Sequence, residues 1–416
     1  MNPNTSYPVM YFSTGILDTA FDSQVLPLLE RMLESGVDLI HIAVEPFRRQ
    51  RTREHLEKRK ELDSRGIRSW YLRQIPPFSR SSLRIDGKRM ARVLKGLGVM
   101  GEKIVIHGRG HLNAARGLFL KETDPARVHV IADLRGAVVD EVCCGAKGHV
   151  GTLLSRYLRG VYQGIEDQVV RQADHILCVS NAMKEHLQGR YPPRSVTVIP
   201  TFVDTTRFLF SKEMRERLRR HLSVSDRTVL VFSGGTAPWQ NLDKVIDLFT
   251  GLKREIPDLL MLFLSQDPSR IKKLTKDRID DGDLRILHVP HAEVAGYLCA
   301  ADVGVLLREE TLTNQVAAPI KFGEYLCCGL PCIVSAQVGD TAVVLREEGG
   351  GIIVSPRAPF PSPNEFRKLL DLDREALSRR MGKKYSSAVY VPQILELYKR
   401  VVERSGERSE RPSEPS

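Results

Sequence analysis

The most informative stretch of this chain is residues 318–331, which read APIKFGEYLCCGLP. Pro319 at its start and Gly329 near its end predict one short helix, because proline is favoured at the beginning of a helix and glycine just past its end. Lys321 and Glu324 are three positions apart and therefore share one face of the first turn. A lysine at this position can bind phosphate, and a carboxylate can accept hydrogen bonds from two vicinal ribose hydroxyls. The alternative is a surface ion pair of little energetic value.

The strand and helix pattern before this segment supports a phosphate site. Residues 228–233 read TVLVFS, which is typical of a buried strand; Gly234–Gly235 follow directly, and a helix is predicted to begin near Asn241. This order places backbone N–H groups and a helix N-terminus at the carboxyl edge of a parallel sheet, where phosphates bind. A plain turn between strand and helix would give the same pattern, so both interpretations stay open here.

The amino-terminal half repeats the alternation of strands and helices. Strands are predicted over residues 8–13, 38–44, 103–107, 128–132, 176–180 and 196–200. Such alternation predicts parallel sheets covered on both faces. We therefore expect an α/β protein made of two Rossmann-like, doubly wound domains in series.

Composition narrows the class of protein. The 416 residues are 42% hydrophobic and 27% charged, as in an ordinary soluble globular protein, and only 6% are aromatic, which argues against a surface of stacked rings. No apolar run approaches the ~20 residues of a membrane span, and no signal peptide is visible at the start. We therefore expect a cytoplasmic protein.

Positive charge is concentrated in one segment. Residues 48–100 contain sixteen Lys and Arg against five Asp and Glu, an excess equal to the formal charge of +11 for the whole chain. One interpretation is a solvated helix face. The other is a surface for an anionic partner, either the inner face of a membrane or a phosphorylated acceptor. Nucleic acid is not expected as the partner, because no nucleic-acid-binding motif accompanies the charge.

No metal site is predicted. The seven cysteines lack the spacing of a zinc site. Residues 281–283 (DGD) and 371–373 (DLD) match a short acidic motif, but they stand in charged stretches typical of a solvated loop or a helix cap.

Several segments resemble glycosyltransferase family four, and they occur in the order that this family shows. They are residues 318–331, DHILCVSNAM at 174–183, VIPTFVD at 198–204, DVGVLL at 302–307, the turn at Gly15 and a predicted helix over 385–402. The resemblance covers nearly the whole chain. It implies the GT-B architecture, in which two Rossmann-like domains face each other across a cleft.

The resemblance also implies a division of the chain. Residues 1–202 would form an acceptor domain, joined by a crossover helix over 385–404, and residues 203–384 would bind the nucleotide sugar. Residues 405–416 have the composition of a disordered tail.

The activity implied by the resemblance is transfer of a sugar from a nucleotide-diphosphate sugar to a glycan or lipid-linked acceptor. It would proceed with retention of configuration and without a metal, in surface polysaccharide or glycoconjugate biosynthesis, with the nucleotide sugar as co-substrate and no cofactor. The residues assigned to donor binding are Gly15, Gly234, Gly235, Trp239, Val289, Asn314, Lys321 and Glu324.

Two departures from the family pattern affect the expected phosphate contacts. Of the usual two glutamates eight positions apart, only Glu324 is present, because Val316 occupies the first position. The Arg and Lys that commonly follow the glycine turn are replaced by residues 239–241, WQN. Arg308 and Lys321 are therefore assigned to neutralise the phosphates and to catalysis.

A third departure concerns the acceptor side. Asp133 stands where the family usually has a histidine, and His107 ends the preceding strand. These two residues are predicted to be catalytic, with Arg135 lining the same side. Two alternatives stay open: a nucleotide-sugar epimerase on the same fold, and a non-catalytic subunit that binds nucleotide sugar.

Overall fold

The computed structural model of the protein describes residues 7–74, 80–96, 99, 102–143, 148–192, 194–355 and 360–409. The chain separates into two compact units, Met1–Ile199 together with Tyr390–Ser416, and Pro200–Val389. The sequence predicted these divisions at residues 202 and 384. The basic segment 48–100 is described except for residues 75–79, 97, 98 and 100.

The amino-terminal unit alternates strands and helices. Its strands are β1 (Val9–Thr14), β2 (Leu39–Glu45), β3 (Ser69–Arg73), β4 (Ile104–Arg109), β5 (Val128–Leu134), β6 (His175–Cys178) and β7 (Val196–Val198). Its helices are α1 (Leu26–Glu34), α2 (Arg53–Ser64), α3 (Arg80–Gly96), α4 (His111–Lys121), α5 (Val138–Cys143), α6 (Gly148–Gln172) and α7 (Asn181–Arg190), with a π-helical turn at Phe21–Val25 and a 3₁₀ turn at Arg49–Arg51.

The strands of this unit form one parallel sheet in the order β3-β2-β1-β4-β5-β6-β7. The order reverses between β1 and β4, whose connections leave on opposite sides. In such sheets ligands bind outside the carboxyl ends of the strands at this reversal. Thr14 and Arg109 end the two strands here, and Gly15 follows β1 with a φ of 75°.

The carboxy-terminal unit has the same plan. Its strands are β8 (Thr228–Ser233), β9 (Leu259–Leu264), β10 (Leu284–Leu287), β11 (Val303–Leu306), β12 (Cys332–Ser335) and β13 (Gly351–Val354). Its helices are α8 (Lys212–His221), α9 (Leu242–Lys253), α10 (Pro268–Thr275), α11 (His291–Ala300), α12 (Leu312–Gln315), α13 (Ile320–Cys327), α14 (Thr341–Glu348), α15 (Pro363–Leu370) and α16 (Arg374–Tyr385), with 3₁₀ turns at Pro238–Gln240 and Asp281–Asp283.

The second sheet is also parallel, in the order β10-β9-β8-β11-β12-β13. Alternate residues of β8 pack into two separate cores: Val229 and Val231 into one, Leu230 and Phe232 into the other. Burial on both faces explains why β8 is a continuous apolar run in the sequence. The strand order reverses between β8 and β11, so Gly234 and the residues after Leu306 lie at the expected ligand edge. The prediction of two Rossmann-like domains is confirmed.

The last helix, α17 (Ser387–Ser409), belongs to the amino-terminal unit from Tyr390 onward. The sequence predicted a crossover helix over 385–404 followed by a disordered tail. The helix instead extends to Ser409, and residues 410–416 lie outside the described part of the chain. Lys103 Nζ donates a hydrogen bond to the carbonyl oxygen of Val402 at 3.2 Å, which ties α17 to the start of β4.

Candidate functional site

The close approach of Gly234 and Lys321 defines the centre of the candidate site. Gly234 follows β8 with a φ of 142°, and a Cβ built on it would lie 2.4 Å from Nζ of Lys321. The next residue, Gly235, has no atom within 4 Å of such a Cβ. A side chain at 234 would therefore displace the ammonium group and would be strained by the φ of 142°, whereas at 235 the space is open.

Lys321 is buried on the first turn of α13, with 7% of its surface exposed. Its Nζ donates a hydrogen bond to Oε1 of Gln240 at 3.1 Å and lies 4.2 Å from the ring centroid of Phe232. Burial, assisted by the nearby positive charge of Arg308, lowers the pKa of Lys321 well below its ordinary value. An anion bound beside this ammonium group would stabilise its charged form.

Arg308 provides the second cation and follows β11. Its guanidinium donates a hydrogen bond to Oδ1 of Asn314 at 3.0 Å, and its Nε is buried without a hydrogen-bond partner among the described residues. Asn314 is fully buried and donates from Nδ2 to the carbonyl oxygens of Trp239 and Glu309, at 3.2 and 2.8 Å. Burial lowers the pKa of Arg308 to about 10. Asn314 thus connects the arginine to the turn that carries Trp239.

Glu324 has a partner that the sequence did not reveal. Its Oε1 lies 2.9 Å from Nε2 of His291, the first residue of α11, and both side chains are largely buried. The ring of His291 packs against Phe208, with 5.4 Å between ring centroids. The interpretation of Lys321 and Glu324 as a surface ion pair is wrong, because both residues are buried and each has a partner of its own.

The predicted acceptor-side residues form a buried cluster in the amino-terminal unit. His107 Nε2 lies 3.3 Å from Oδ2 of Asp133, and His107 Nδ1 is hydrogen-bonded to Oη of Tyr398 on α17 at 2.7 Å. Arg109 and Arg135 approach the same carboxylate at 3.6 and 3.4 Å. Burial alone would raise the pKa of Asp133, but Arg135, His107 and Arg109 outweigh it and hold the pKa below its ordinary value.

The predicted site residues therefore fall into two groups. One gathers at the carboxyl edge of the second sheet and consists of Gly234, Gly235, Trp239, Arg308, Asn314, Lys321 and Glu324. Gly15, His107 and Asp133 belong to the other unit, and Val289 packs against the core of the second unit, two residues after β10 ends. The roles given to these residues stay predictions.

Sequence reasoning did not assign His291 or Arg109 to the site. His291 opens a helix shortly after a strand and Arg109 ends a strand, so both could have been found by asking which polar residues stand at the carboxyl edge of each sheet. Val316, which stands in place of the family's first glutamate, is buried directly after α12.

Metal sites and membrane-spanning helices are considered for the described residues. They contain no group of three or more His, Cys, Asp and Glu side chains that could hold a metal ion. The two short acidic motifs have other partners. In the motif at 371–373, Asp373 caps α16 by accepting a hydrogen bond from the backbone N–H of Ala376, and in the motif at 281–283, Asp283 pairs with Arg227 and Lys253. Within the same ranges, no helix combines the length and the apolar character needed to cross a bilayer.

Comparison with known sequences matches two family profiles in succession. Glycosyltransferase Family 4 matches residues 28–207, and Glycosyl transferases group 1 matches residues 214–386. A curated relative is the GDP-mannose-dependent alpha-(1-6)-phosphatidylinositol monomannoside mannosyltransferase of Mycolicibacterium smegmatis, which is 23% identical over 192 residues. That stretch covers 45% of this chain and 50% of the relative, so the match spans about half the length of the relative.

Two solved structures resemble this fold over almost the entire chain. A glycosyltransferase from Rickettsia africae has a TM-score of 0.70 at 14% identity, covering 96% of this chain and 99% of that one. Anabaena HepE, solved in complex with UDP-glucose, has a TM-score of 0.70 at 12% identity, covering 94% of this chain and 99% of that one. This chain accordingly belongs to the group 1 glycosyltransferases with a family 4 amino-terminal domain, and its two Rossmann-like domains have the GT-B fold.

Proposed function

We propose that this protein transfers a sugar from a nucleoside-diphosphate sugar to a glycan or lipid-linked acceptor, with retention of configuration and without a metal ion. The observation that carries the proposal is the pair of buried cations, Lys321 and Arg308, beside the Gly234 turn at the strand reversal of the second sheet. Buried cations without a bound anion are costly, and a diphosphate is the ligand that would compensate both.

The chemistry follows from where charge develops. When the bond between the anomeric carbon and the diphosphate breaks, negative charge accumulates on the β-phosphate. Lys321, Arg308 and the backbone N–H of Gly235 are already in place, whereas the N–H of Gly234 donates to the carbonyl oxygen of Leu264. Such preorganised donors favour the transition state more than the ground state. In a retaining, front-side reaction the leaving phosphate accepts the proton of the acceptor hydroxyl.

Glu324 is proposed to bind the ribose of the donor. A carboxylate oxygen can accept hydrogen bonds from both vicinal hydroxyls, and the contact with His291 leaves Oε2 available while fixing the orientation of the carboxylate. Trp239 and Val289 are proposed to complete the donor site, Gly15 to face the diphosphate, and Asp133 and His107 to contact the acceptor.

We also propose that the protein works at the inner face of a membrane, in surface polysaccharide or glycoconjugate assembly. The relative from M. smegmatis is named for a phosphatidylinositol monomannoside, which is a lipid-linked saccharide. On α3, residues Arg84, Lys88, Arg92 and Lys95 recur every three or four positions and are exposed, with the exposed Ile85 beside them. We call these four residues the α3 basic stripe.

A screen of donors followed by product analysis tests the proposed function. UDP-glucose and GDP-mannose are first compared in a thermal-shift assay, in which a ligand at 100 times its dissociation constant stabilises the protein by about 2.7 kcal/mol. The preferred donor is then incubated with candidate acceptors in the presence of EDTA, and the anomeric configuration of the product is determined by NMR. Conversion of the donor to a new nucleotide sugar without an acceptor would indicate an epimerase, and binding without turnover for any acceptor would indicate a non-catalytic subunit.

A further inference from the structure

A small cavity lies at the strand reversal of the amino-terminal sheet. It has a volume of about 190 Å³, and its polar lining comes from Ser13, Thr14, Asp18, Arg109, Gly110 and Arg135. These residues stand at or just after the carboxyl ends of β1, β4 and β5. In doubly wound sheets this position is where ligands bind, so the topology and the cavity independently indicate the same place.

Two arginines are held side by side in the wall of this cavity. Nη2 of Arg109 and Nη2 of Arg135 donate hydrogen bonds to the same atom, Oε1 of Gln24, at 2.5 and 3.0 Å. Their side chains are only 13% and 19% exposed. Two like charges that share one neutral acceptor repel each other, so this arrangement favours an additional anion.

Nearby carboxylates compensate the arginines only in part. Asp133 lies beside both, at 3.6 and 3.4 Å, but His107 shares the same carboxylate. Asp18 is exposed, and its Oδ1 accepts a hydrogen bond from the backbone N–H of Phe21 at 2.7 Å. Asp133 alone leaves one positive charge in the buried part of the cluster, and the exposed Asp18 at the rim offsets part of it through its interaction with Arg109.

The backbone N–H groups at the start of α4 also favour an anion at this cavity. Helix α4 begins directly after Gly110, which has a φ of 77° and gives the helix no side-chain cap. The first N–H groups of a helix carry partial positive charge and bind anions. Gly110, which precedes this helix end, lines the same cavity as Arg109 and Arg135.

We propose that this cavity binds a phosphoryl group of the acceptor, held by Arg109, Arg135 and the N-terminus of α4. The inference rests on the proposed transferase function and adds the chemical class of the acceptor, a phosphate ester. Guanidinium groups match the planar oxygen pairs of phosphate, and Thr14 lines the same cavity. Whole ligand pockets usually span ~300–1,000 Å³, so a cavity of this size holds one group of a larger molecule.

Binding of phosphate without donor or turnover tests the proposal separately from the proposed function. Inorganic phosphate is titrated into the full-length protein by isothermal calorimetry at low salt. The Lys321→Ala variant is used as the background, because it removes Lys321, one of the two donor-side cations. Arg135→Gln in that background is expected to weaken phosphate binding at least about tenfold, as loss of a charge-assisted hydrogen bond would. Arg379→Gln, at an exposed position of α16, is the matched control and should change nothing.

A second variant keeps the proposal testable if Arg135→Gln does not fold. Asp133→Asn removes the internal carboxylate that competes for the arginines and is expected to tighten phosphate binding, whereas a purely structural role for the cluster predicts weaker binding or none. Glucose 1-phosphate and vesicles of phosphatidylinositol in phosphatidylcholine then separate a soluble phosphate ester from a lipid headgroup. Equal phosphate affinity in the Lys321→Ala background with and without Arg135→Gln would overturn the inference, even if sugar transfer is found.

Discussion

Nζ of Lys321 occupies the space that a side chain at Gly234 would need, with 2.4 Å between Nζ and the position of a Cβ. The ammonium group can lie here because Gly234, just after the end of β8, has no side chain. Its hydrogen bond to Gln240 also fixes its position. The adjacent Gly235 differs in this respect, because a Cβ built on it would meet no atom within 4 Å.

Gly234→Ala is expected to displace the Lys321 ammonium group and to lower kcat toward the value of Lys321→Ala. Its φ of 142° is also strained for alanine, so the folded state should lose stability. Gly251→Ala on α9 is the control, since Gly251 is exposed outside the candidate site and its Cβ would meet nothing within 4 Å, so kcat should be unchanged. Kinetics and thermal melts of both variants provide the measurement. Equal kcat values for the two would contradict the positioning of Lys321 by Gly234.

Lys321→Ala and Glu324→Gln are expected to act on different kinetic constants. A cation on the leaving diphosphate gains strength as charge develops, so its loss should lower kcat about a hundredfold or more. A ribose contact is the same in ground and transition states, so Glu324→Gln should mainly raise the donor KM. Steady-state kinetics of both variants measure kcat and the donor KM, and circular dichroism checks that both variants are folded. If Lys321→Ala keeps full turnover at saturating donor, Lys321 does not stabilise the leaving diphosphate, and Arg308 becomes the candidate for that role.

Donor binding is expected to take up a proton. The lowered pKa of Lys321 leaves the amine partly neutral at pH values above that lowered pKa, and a bound diphosphate raises the pKa again. Between the two pKa values the complex therefore binds more protons than the free protein, and donor affinity should fall as pH rises. Calorimetry in two buffers of different ionisation enthalpy measures the uptake. Lys321→Ala should abolish it; uptake that persists in this variant would assign the proton to another group.

His291→Ala is expected to raise the donor KM while leaving kcat nearly constant. The imidazole contacts Glu324 Oε1 at 2.9 Å and so orients a carboxylate that is proposed to bind ribose. His291→Gln keeps a side-chain N–H group and should restore part of the donor affinity. A fall in kcat without a change in KM would instead place His291 in the chemical step.

The α3 basic stripe is expected to carry most of the attraction to anionic membranes. Replacing Lys88, Arg92 and Lys95 by glutamine should weaken binding to anionic vesicles by about 3 kcal/mol at low salt, at ~1 kcal/mol per charge. Arg53→Gln at the start of α2 and Arg65→Gln directly after its end form the control, because Arg53 already pairs with Glu57 and Arg65 with Glu30 and Glu61. Vesicle sedimentation measures the effect, and equal binding to neutral and anionic vesicles would exclude an electrostatic role.

Local sequence features predicted the fold and the donor-side elements. The apolar run of β8, the glycine turn after it and the boundaries of α13 are properties of neighbouring residues, so they are visible in one dimension. The pairing of Glu324 with His291 was not visible, because the two residues lie on different helices and meet only in the folded unit.

The surface charge of the basic segment 48–100 also depends on contacts that the sequence does not show. Residues 48–100 have a large positive excess in sequence, but part of it is neutralised by acids from other elements, since Lys58 pairs with Asp22, Arg65 with Glu30 and Arg68 with Asp38. The charge of a surface is therefore a property of the tertiary structure. The α3 basic stripe could be located only after these pairs were known.

The hydrogen bond between His107 and Tyr398 also constrains how the protein is made. The amino-terminal unit is discontinuous, and roughly 190 residues of the other unit separate its two pieces. At ~5–20 residues per second, a ribosome needs roughly 10–40 s to translate them before Tyr398 can be added. Until then His107 lacks the phenol that contacts its Nδ1, so the amino-terminal unit can be completed only after the other unit has been synthesised.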